Sequence, residues 1–419
     1  MPATVPPGAA PPAPGVLSAT ATGLRTIRVG LVGCGAFARF SMAQYRRLPG
    51  VVVTAVADLD PAAARRAAAE LHAESVSPEH VCGAADIDLV YIATPPALHH
   101  PQAAAALRAG KHVLAEKPLA TTLAAAEELE SLAARRGLVC VANLVERYNP
   151  LAHAVHRIIE SRILGGLIHG MFLNEAADEG LGRGHWFWDR GLSGGIFVEH
   201  GVHFFDLVAS WLGAGSVVAA ARSVRPTEPA DARGSAVEEQ VSCTCRYRIN
   251  SHGGTARLGR PDTPGDRHSG VLFHFEHGFH QASRMDRQEL RLVFERGELR
   301  LHDWVPTHGD IRALLDDDAA ATLAAMLPRS AIRTIDRHAE AARRMRGRFQ
   351  EFEADALVAI DFSLGMEKLQ IYGEVVRDLA ADQVARIRDP GHVRRLTEAD
   401  SVAAVALACE ADRLALAAG

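Results

Sequence analysis

Residues 33–38 have the spacing of a loop that holds a pyrophosphate. They read Gly-Cys-Gly-Ala-Phe-Ala, which fits the pattern G-x-G-x-x-A. Gly33 and Gly35 allow a tight turn and a close approach of the backbone to phosphate, while a small residue at Ala38 lets a helix pack on a strand. The start of that helix, at Ala36 and Phe37, would present free backbone N–H groups to the phosphates.

Asp58 stands about as far beyond these glycines as a dinucleotide-binding fingerprint places its acidic residue. Its carboxylate can accept hydrogen bonds from both ribose hydroxyls of NAD, and it would repel the 2′-phosphate of NADP. No arginine adjoins it to offset that repulsion. The other role open to Asp58 is to cap the helix that begins at Pro61, but Asp60 suits that role better. The sequence therefore predicts a dinucleotide site that prefers NAD to NADP.

Two polar residues follow apolar runs that are predicted as strands. Thr94 follows Leu89–Ala93, and Lys117 comes shortly after His112–Ala115. Because the carboxyl ends of parallel strands line the ligand crevice, Thr94 and Lys117 should emerge beside the cofactor. A solvated loop charge, or an ion pair with Glu116, is the alternative for Lys117. The predicted cofactor contacts are Gly33, Gly35, Ala36, Phe37, Ala38, Asp58, Thr94, Pro95, His99, Glu116 and Lys117.

The elements that must position these residues alternate between strands and helices up to about residue 150. Short, uniformly apolar runs are separated by alanine-rich helical stretches. This alternation is typical of parallel βαβ units, whose sheets are covered on both faces. The predicted strands are 27–32, 51–57, 89–93, 112–115 and 138–142, and the predicted helices are 36 to about 48, 61–71, 101–109 and 123–136.

Beyond residue 150 the pattern changes. We predict a helix at 151–161, a strand at 168–174, a loop rich in glycine and tryptophan, and a helix from about 197 to 212. The runs VVAAARSV, AVEEQVSCTCRYRI, GVLFHFEHG, HQASRMDR, ELRLVFERG and ELRLHDW favour a large, mostly antiparallel sheet between about 217 and 304. Residues 311–379 are expected to contain a helical centre and a strand at 357–362.

The predicted fold class is α/β, with an N-terminal Rossmann domain formed by a doubly wound parallel sheet. A C-terminal α+β domain with a large, mostly antiparallel open sheet follows it. The expected boundaries are a disordered tail at 1–25, the dinucleotide-binding domain at 26–150, a substrate and oligomerisation domain at 151–395, and a closing helix at 396–419.

Several motifs together resemble the Gfo/Idh/MocA oxidoreductases, the family of glucose–fructose oxidoreductase and inositol dehydrogenases. They are the glycine motif, Thr-Pro-Pro at 94–96, Gly-Lys-His-Val at 110–113, Glu-Lys-Pro at 116–118, Arg-Tyr-Asn-Pro at 147–150 and the run GGIFVEHGVHFFD at 194–206. The Glu-Lys-Pro triplet is highly specific in this context. The resemblance covers residues 27–213 well and is weaker beyond them.

The resemblance implies that Lys117 and His203 face the reacting carbon, with Glu199 beside them. In the family the last run commonly reads G-G-x-x-x-D-x-G-x-H-x-x-D, so Glu199 replaces the first aspartate while His203 and Asp206 match. An imidazole can take the hydroxyl proton as hydride leaves carbon, and an ammonium can stabilise charge on the oxygen. Glu199 and His203 are four apart on a predicted helix, so the carboxylate could steady the imidazolium.

Three alternatives remain open for these residues. His200 and His203, with Glu199, could form a zinc cluster, although no third ligand follows at a familiar spacing. His203 could be a satisfied core histidine, and Asp206 could simply anchor the helix. Metal binding is not our prediction, and the pair Cys243 and Cys245 is also better explained as apolar filler.

A loop at 183–190 is the predicted substrate contact. Aromatic rings beside polar groups suit a sugar or polyol, with its apolar faces and hydroxyl edges, which points to His185 and Trp188. The same tryptophans could instead only pack the loop against the sheet. Arg147 is a further candidate together with His203, and Asn174 and Glu175 are weaker ones.

The leading hypothesis is an NAD(P)-dependent dehydrogenase or reductase acting on a hydroxyl or keto carbon of a sugar, cyclitol or related polar ring. A redox-neutral hydrolase or epimerase that recycles bound NAD is a second hypothesis. A non-catalytic NAD-binding sensor or corepressor is a third, because family resemblance establishes fold better than reaction.

Composition narrows the partners of the 419-residue chain. A formal charge of −5 without long runs of one sign argues against nucleic acid, and no apolar run approaches the ~20 residues of a membrane span. Six scattered cysteines favour reduced thiols and a cytoplasmic protein. A wide open sheet predicts a homo-oligomer, a dimer or a tetramer, because the sheet face needs covering.

Overall fold

In the computed structural model, residues 27–142 fold into a parallel sheet with helices on both faces. The structure describes residues 24–178, 180–182, 184–225, 237–248, 270–347 and 350–418. The strands are β1 (Ile27–Val32), β2 (Val51–Ala57), β3 (Glu74–Ser75), β4 (Leu89–Ile92), β5 (His112–Ala115) and β6 (Cys140–Ala142). Their spatial order is β3-β2-β1-β4-β5-β6, and every neighbouring pair is parallel. The chain direction across the sheet reverses between β1 and β4, and open α/β sheets bind ligands at such a switch point.

The connecting helices of this domain begin with the caps that the sequence suggests. Asp60 accepts a hydrogen bond from the backbone N–H of Ala62, and Thr122 does the same for Ala125. These side chains satisfy N–H groups that a helix leaves unpaired at its start. The helices are α1 (Ala36–Tyr45), α2 (Pro61–Leu71), α3 (Pro78–Gly83), α4 (His99–Arg108) and α5 (Leu123–Arg136).

The second domain is built on a nine-stranded sheet. Its strands are β7 (Leu167–Glu175), β8 (Gly215–Arg225), β9 (Val237–Tyr247), β10 (Val271–Gly278), β11 (Arg287–Phe294), β12 (Gly297–His302), β13 (His308–Leu315), β14 (Ala331–Arg337) and, after the hairpin of β15 (Arg344–Gly347) and β16 (Gln350–Glu353), β17 (Ala356–Ser363). The order is β14-β17-β13-β12-β11-β7-β10-β9-β8. Only β7 and β10 pair in parallel among these neighbours, so the expected mostly antiparallel sheet is confirmed.

Helices line this sheet and return to the first domain. They are α6 (Pro150–Ser161), α7 (Arg190–Ser193), α8 (Val202–Leu212), α9 (Asp317–Ala325), α10 (Lys368–Arg388) and α11 (Glu398–Ala418). Helix α10 packs on α1, and α11 packs on α5 and β6. The side chains of Glu398 and Ser401 accept hydrogen bonds from the backbone N–H groups of Cys140 and Ala142, at 3.1 Å each. These bonds satisfy the donors of β6, the edge strand of the parallel sheet.

Two predictions about the second half are wrong, and one long helix was not predicted. Residues 280–286 form a turn rather than a strand. The segment expected to be a helical centre forms strands β14 to β16, and helix α10 was not predicted. Every residue of β14 is exposed, so its sequence lacks the alternation of apolar and polar residues by which a half-buried strand is predicted.

A buried carboxyl group lies where the chain passes from β6 into the second domain. Glu146 is 1% exposed, and neither of its oxygens has a hydrogen-bond partner among the described residues. Burial raises its pKa to about 8, an effect that the nearby Lys368 ammonium partly offsets. The folded state therefore holds a proton that the unfolded chain releases near the ordinary glutamate value.

This group predicts a specific pH dependence of stability. Because the pKa of Glu146 is raised in the folded state, its contribution to the free energy of unfolding is full below about pH 4.5. That contribution declines as pH rises to about 8, by at most about 1.4 kcal/mol per pH unit. We expect Glu146→Gln to match the wild type in unfolding free energy at pH 4 and to exceed it at pH 8.5. Urea unfolding at both values checks this, with exposed Glu127→Gln as the control. Equal differences at the two pH values would contradict the prediction.

Candidate active site

The glycine loop opens on a cavity of about 650 Å³ at the carboxyl end of the parallel sheet. Gly33 has φ +92°, and a Cβ there would lie 2.5 Å from the carbonyl oxygen of Ala93, so only glycine fits. A Cβ at Gly35 would meet no protein atom within 4 Å. The backbone is therefore bare on the cavity side at the start of α1, where a pyrophosphate can approach the free N–H groups. The lining includes Gly33, Cys34, Gly35, Asp58, Leu59, Pro78, Glu79, Thr94, Pro95 and Gln102.

Asp58 lies in the lining of this cavity and also shapes the loop. One carboxylate oxygen accepts the backbone N–H of Cys34 at 2.7 Å, and the other accepts that of Asp60 at 2.8 Å. Asp60, rather than Asp58, caps α2. Each carboxylate oxygen retains a further acceptor position, so Asp58 can also receive ribose hydroxyls. These residues fit an NAD-type dinucleotide.

The other predicted cofactor contacts divide into lining residues and supports. Thr94 and Pro95 line the cavity, whereas Ala38 is buried against the sheet and Phe37 packs on the ring of Tyr372, with centroids 5.3 Å apart. His99 is fully buried, and its ring nitrogens lie 2.7 Å from the carbonyl oxygens of Thr94 and Pro118. Its side chain therefore ties together the two loops that follow β4 and β5, and it does not face the cavity.

Glu116 is likewise a support in this structure. Its carboxyl accepts hydrogen bonds from the hydroxyl of Tyr91 and from the side-chain amide of Asn143 at 3.1 Å. Burial raises its pKa to about 7. Its partners belong to β4 and to the residue after β6, so the side chain joins neighbouring strands behind Lys117.

Lys117 reaches from the end of β5 to the second domain. Its ammonium donates to the carboxylate of Glu199, and its Nζ lies 3.0 Å from the Glu199 backbone carbonyl. The two side chains are 19% and 5% exposed. The alternative of an ion pair with Glu116 does not occur, because Glu199 holds the ammonium.

The segment that carries Glu199 is a π-helical turn at Phe197–Gly201, which continues into α8. Single π turns within helices are frequent at functional sites. The wider turn rotates Glu199 relative to His203, so the expected contact of an α-helical i, i+4 pair is absent. Instead, the Glu199 carboxylate pairs with Lys117, and the expectation that it steadies His203 is not met.

A buried glutamate anchors the start of this turn. Glu238, from β9, accepts the backbone N–H of Ile196 at 3.1 Å. The same carboxylate accepts from Arg190, whose guanidinium also donates to Asp412 of α11 at 2.7 and 2.9 Å. The sheet and the last helix therefore fix the position from which Glu199 reaches Lys117.

His203 is buried with both ring nitrogens unpartnered among the residues that the structure describes. Its ring packs at 88° to that of Trp304, with centroids 5.2 Å apart. Burial lowers its pKa, and the charge of Lys117 lowers it further. The imidazole is therefore neutral at physiological pH and has a free lone pair to receive a proton.

Arg147 is placed differently from the prediction. It is 8% exposed and forms a two-pronged ion pair with Asp206, with Nε 2.8 Å from Oδ2. Its guanidinium also donates to the carbonyl of Arg395. Asp206 therefore anchors α8 through Arg147, which is the alternative that the sequence left open for it. The Arg147 guanidinium is engaged in this pair and is not directed to a substrate.

The aromatic loop, residues 184–190, lies next to the π-helical turn. Phe279 contacts Trp188 at 6.0 Å and His200 at 5.3 Å between ring centroids, which links the loop to the π-helical turn. Trp188 donates to the carbonyl of Leu181 at 3.1 Å, and the His185 ring accepts the N–H of Phe187. Asn174, by contrast, donates within the sheet to Gly278.

The described ranges contain neither a metal-binding cluster nor a membrane-spanning helix. No group of three or more His, Cys, Asp or Glu residues there could hold a metal ion. Cys243 and Cys245 are both buried on the packed face of β9. No helix in the same ranges combines the length and apolarity needed to cross a bilayer.

The sequence relationships agree with this geometry. The family model for the N-terminal domain, an oxidoreductase family with an NAD-binding Rossmann fold, matches residues 27–144, and the C-terminal domain model matches residues 153–300. A dTDP-3,4-didehydro-2,6-dideoxy-alpha-D-glucose 3-reductase of Streptomyces violaceoruber is 30% identical over 279 residues, 65% of this chain and 74% of that protein. The chain belongs to the Gfo/Idh/MocA family. The predicted family and fold class are confirmed.

Other proteins match part of the chain or share its fold. Two further reductases of the same name are matched over only 43% of their length. A glycosyl hydrolase family 109 protein of Saccharopolyspora erythraea is 29% identical over 196 residues, 42% of this chain and 43% of that protein. The structure of levoglucosan dehydrogenase with NADH and levoglucosan shares the fold, with a TM-score of 0.70 and 18% identity over 94% of this chain and 98% of that one.

Substitution of Gly35 should weaken cofactor binding, whereas substitution of Gly33 should lower the stability of the fold. Gly35→Val should weaken NADH binding by roughly tenfold or more, because its side chain enters the space for the pyrophosphate, while thermal stability stays near that of the wild type. Gly33→Ala should instead destabilise the fold by about 1–3 kcal/mol, because of its φ and the contact with Ala93. NADH fluorescence titration and thermal unfolding measure both. Unchanged NADH affinity in Gly35→Val would place the cofactor elsewhere.

Proposed function

We propose that this protein is an NAD-dependent dehydrogenase or reductase that acts on a hydroxyl or keto carbon of a sugar, cyclitol or related polar ring. The carrying observation is the buried, unpartnered imidazole of His203 close enough to Lys117 for the ammonium to lower its pKa. A buried polar group without a partner costs free energy unless a ligand satisfies it. A substrate hydroxyl is a suitable ligand.

The residues support a division of labour for proton transfer. In the oxidative direction, neutral His203 takes the hydroxyl proton, and in the reductive direction the protonated ring returns it to the oxygen. The Lys117 ammonium stabilises negative charge that develops on that oxygen. NAD, when bound, supplies the hydride chemistry.

Glu199 supports Lys117 in this proposal, in place of the expected support of His203. The carboxylate and the backbone carbonyl of Glu199 each accept one N–H of the Lys117 ammonium. The third N–H of the ammonium remains for the substrate oxygen. His185 and Trp188 are proposed to contact the substrate ring from the aromatic loop, because Phe279 brings that loop next to the π-helical turn.

Replacement of the two central side chains tests the assignment. Lys117→Met and His203→Asn should each lower kcat by at least about 10²-fold, because each removes a group that acts on the reacting oxygen. NADH absorbance with a panel of sugars, cyclitols and their keto forms measures turnover. NADPH, run in parallel, should serve less well because Asp58 faces the adenine ribose position.

The matched control is Lys111→Met, which removes a buried lysine outside the site. We expect it to retain wild-type kcat, and NADH titration should show that all variants still bind the cofactor. Wild-type turnover in both site variants would refute the assignment of His203 and Lys117.

A second candidate is a redox-neutral hydrolase or epimerase that retains NAD. The similarity to a glycosyl hydrolase family 109 protein favours it. The same residues would then act in both half-reactions, and product would form with no net change in NADH absorbance. Chromatography of the reaction mixtures beside the absorbance record separates the two candidates.

We also propose a cytoplasmic homo-oligomer. Support comes from the unpaired state of all six cysteines and from the outer face of the large sheet, where Leu272 is 42% exposed and Met171 and Leu173 are only partly buried. Light scattering should give a molar mass that is a multiple of 44.8 kDa. A single-chain mass would contradict the oligomer, and cell fractionation tests the location.

A further inference from the structure

His200 lies in the π-helical turn, next to Glu199, and both of its ring nitrogens are engaged. The indole Nε1 of Trp304 lies 3.0 Å from its Nε2, and the Nδ1 of His277 lies 3.0 Å from its Nδ1. Trp304 belongs to the turn between β12 and β13, and His277 lies on β10. Three separate elements therefore meet at this imidazole.

The direction of these hydrogen bonds follows from donor chemistry. An indole N–H can only donate, so Nε2 of His200 must accept and its proton must be on Nδ1. His200 then donates to Nδ1 of His277, whose own proton must be on Nε2. Both rings are neutral, in agreement with burial, which lowers the pKa of His277 to about 3 and that of His200 well below its ordinary value.

The hydrogen-bond chain ends in the core and therefore cannot pass a proton onward. His277 is fully buried, and its Nε2 has no hydrogen-bond partner among the described residues. Its ring lies among aromatic rings at centroid distances of 5.5–6.3 Å, those of Phe172, Phe197, Phe204 and Phe205. A positioning role is thus favoured over a proton relay.

The group held in place by this chain is the indole of Trp304. One neighbour of that ring is His203, at 5.2 Å and 88°, and another is Tyr372 of α10, at 5.3 Å and 79°. Because neither ring nitrogen of His203 has a hydrogen bond within the described part of the chain, the orientation of its ring depends on packing. Trp304 supplies a rigid surface for that packing, since its N–H is fixed by His200.

We propose that Trp304, held by the buried His200–His277 pair, positions the imidazole of His203 for proton transfer. In many enzymes a carboxylate orients the catalytic histidine through a hydrogen bond. Here packing against Trp304 takes that role, so both ring nitrogens of His203 stay open to the substrate. The Lys117 ammonium, which lowers the pKa values of His200 and His203, is itself paired with Glu199. The proposal rests on the proposed function of His203.

Four variants separate positioning from general packing. Trp304→Leu removes the surface against which His203 packs, and it should lower kcat by up to about 10²-fold with KM and NADH affinity nearly unchanged. Trp304→Phe keeps a ring but loses the N–H, so its kcat should be intermediate. His200→Leu should lower kcat similarly to Trp304→Phe. His200→Gln should restore most of it, because an amide oxygen can accept from the indole while its NH₂ donates to His277.

A second readout does not depend on turnover. Long-range ¹H–¹⁵N spectra of histidine-labelled protein should show His200 as the neutral Nδ1–H tautomer between pH 6 and 8, with its signals assigned by their loss in His200→Gln. Trp304→Phe should shift them. The control is His274→Leu, because His274 lies on β10 with His277 but has a half-exposed side chain. This variant should change neither kcat nor the His200 signals.

The outcomes are distinct. Wild-type kcat in Trp304→Leu, equal losses in His200→Leu and His200→Gln, or an Nε2–H tautomer of His200 would each overturn the proposal. If the wild-type protein turns over no sugar or cyclitol, the proposed function fails, while the spectra still decide whether the Trp304–His200–His277 chain exists.

Discussion

The contact between the Lys117 ammonium and the Glu199 carboxylate is the constraint on which the site depends. It joins the end of a strand in the parallel sheet to a π-helical turn of the second domain, and both side chains are largely buried. Breaking a buried pair by removing one partner typically costs about 3–5 kcal/mol. The two domains must therefore meet in one register at this point, and the supports around it, from Glu116 behind Lys117 to Glu238 behind Glu199, serve that register.

Burial keeps the imidazole of His203, near this pair, in its neutral form. An imidazole that lies in water or beside a free carboxylate would titrate near or above neutrality, whereas His203 is desolvated and lies near an ammonium. Because Glu199 pairs with Lys117, no carboxylate among the described residues bonds to the His203 ring. The ring is therefore held as a neutral base. Its orientation then has to come from neighbours that carry no charge, and Trp304 is the neighbour that the structure provides.

The last two long helices connect the second domain to the first. Helix α10 packs on α1 and brings Tyr372 between Phe37, at the start of α1, and Trp304, in the turn between β12 and β13. Helix α11 completes the edge of the parallel sheet and holds Arg190 through Asp412. Both helices follow the sheet in sequence, yet both contact the first domain. The start of α1 and the ring of Trp304 are thereby connected through packed side chains.

The sequence by itself determined the parallel sheet, the dinucleotide loop with Asp58, and the family, which the motifs around Lys117, Glu199 and His203 indicate. These features depend on local patterns, namely apolar runs, glycines at turns and short motifs. Only the tertiary structure decided the partners. It placed Glu199 on Lys117, Arg147 on Asp206, and His99 between two carbonyls. It also brought Trp304 and His277, distant in sequence and without a motif, to the site. Such pairings depend on helix phase and domain packing, which a π-helical turn or an exposed edge strand alters without a local signal in the residue pattern.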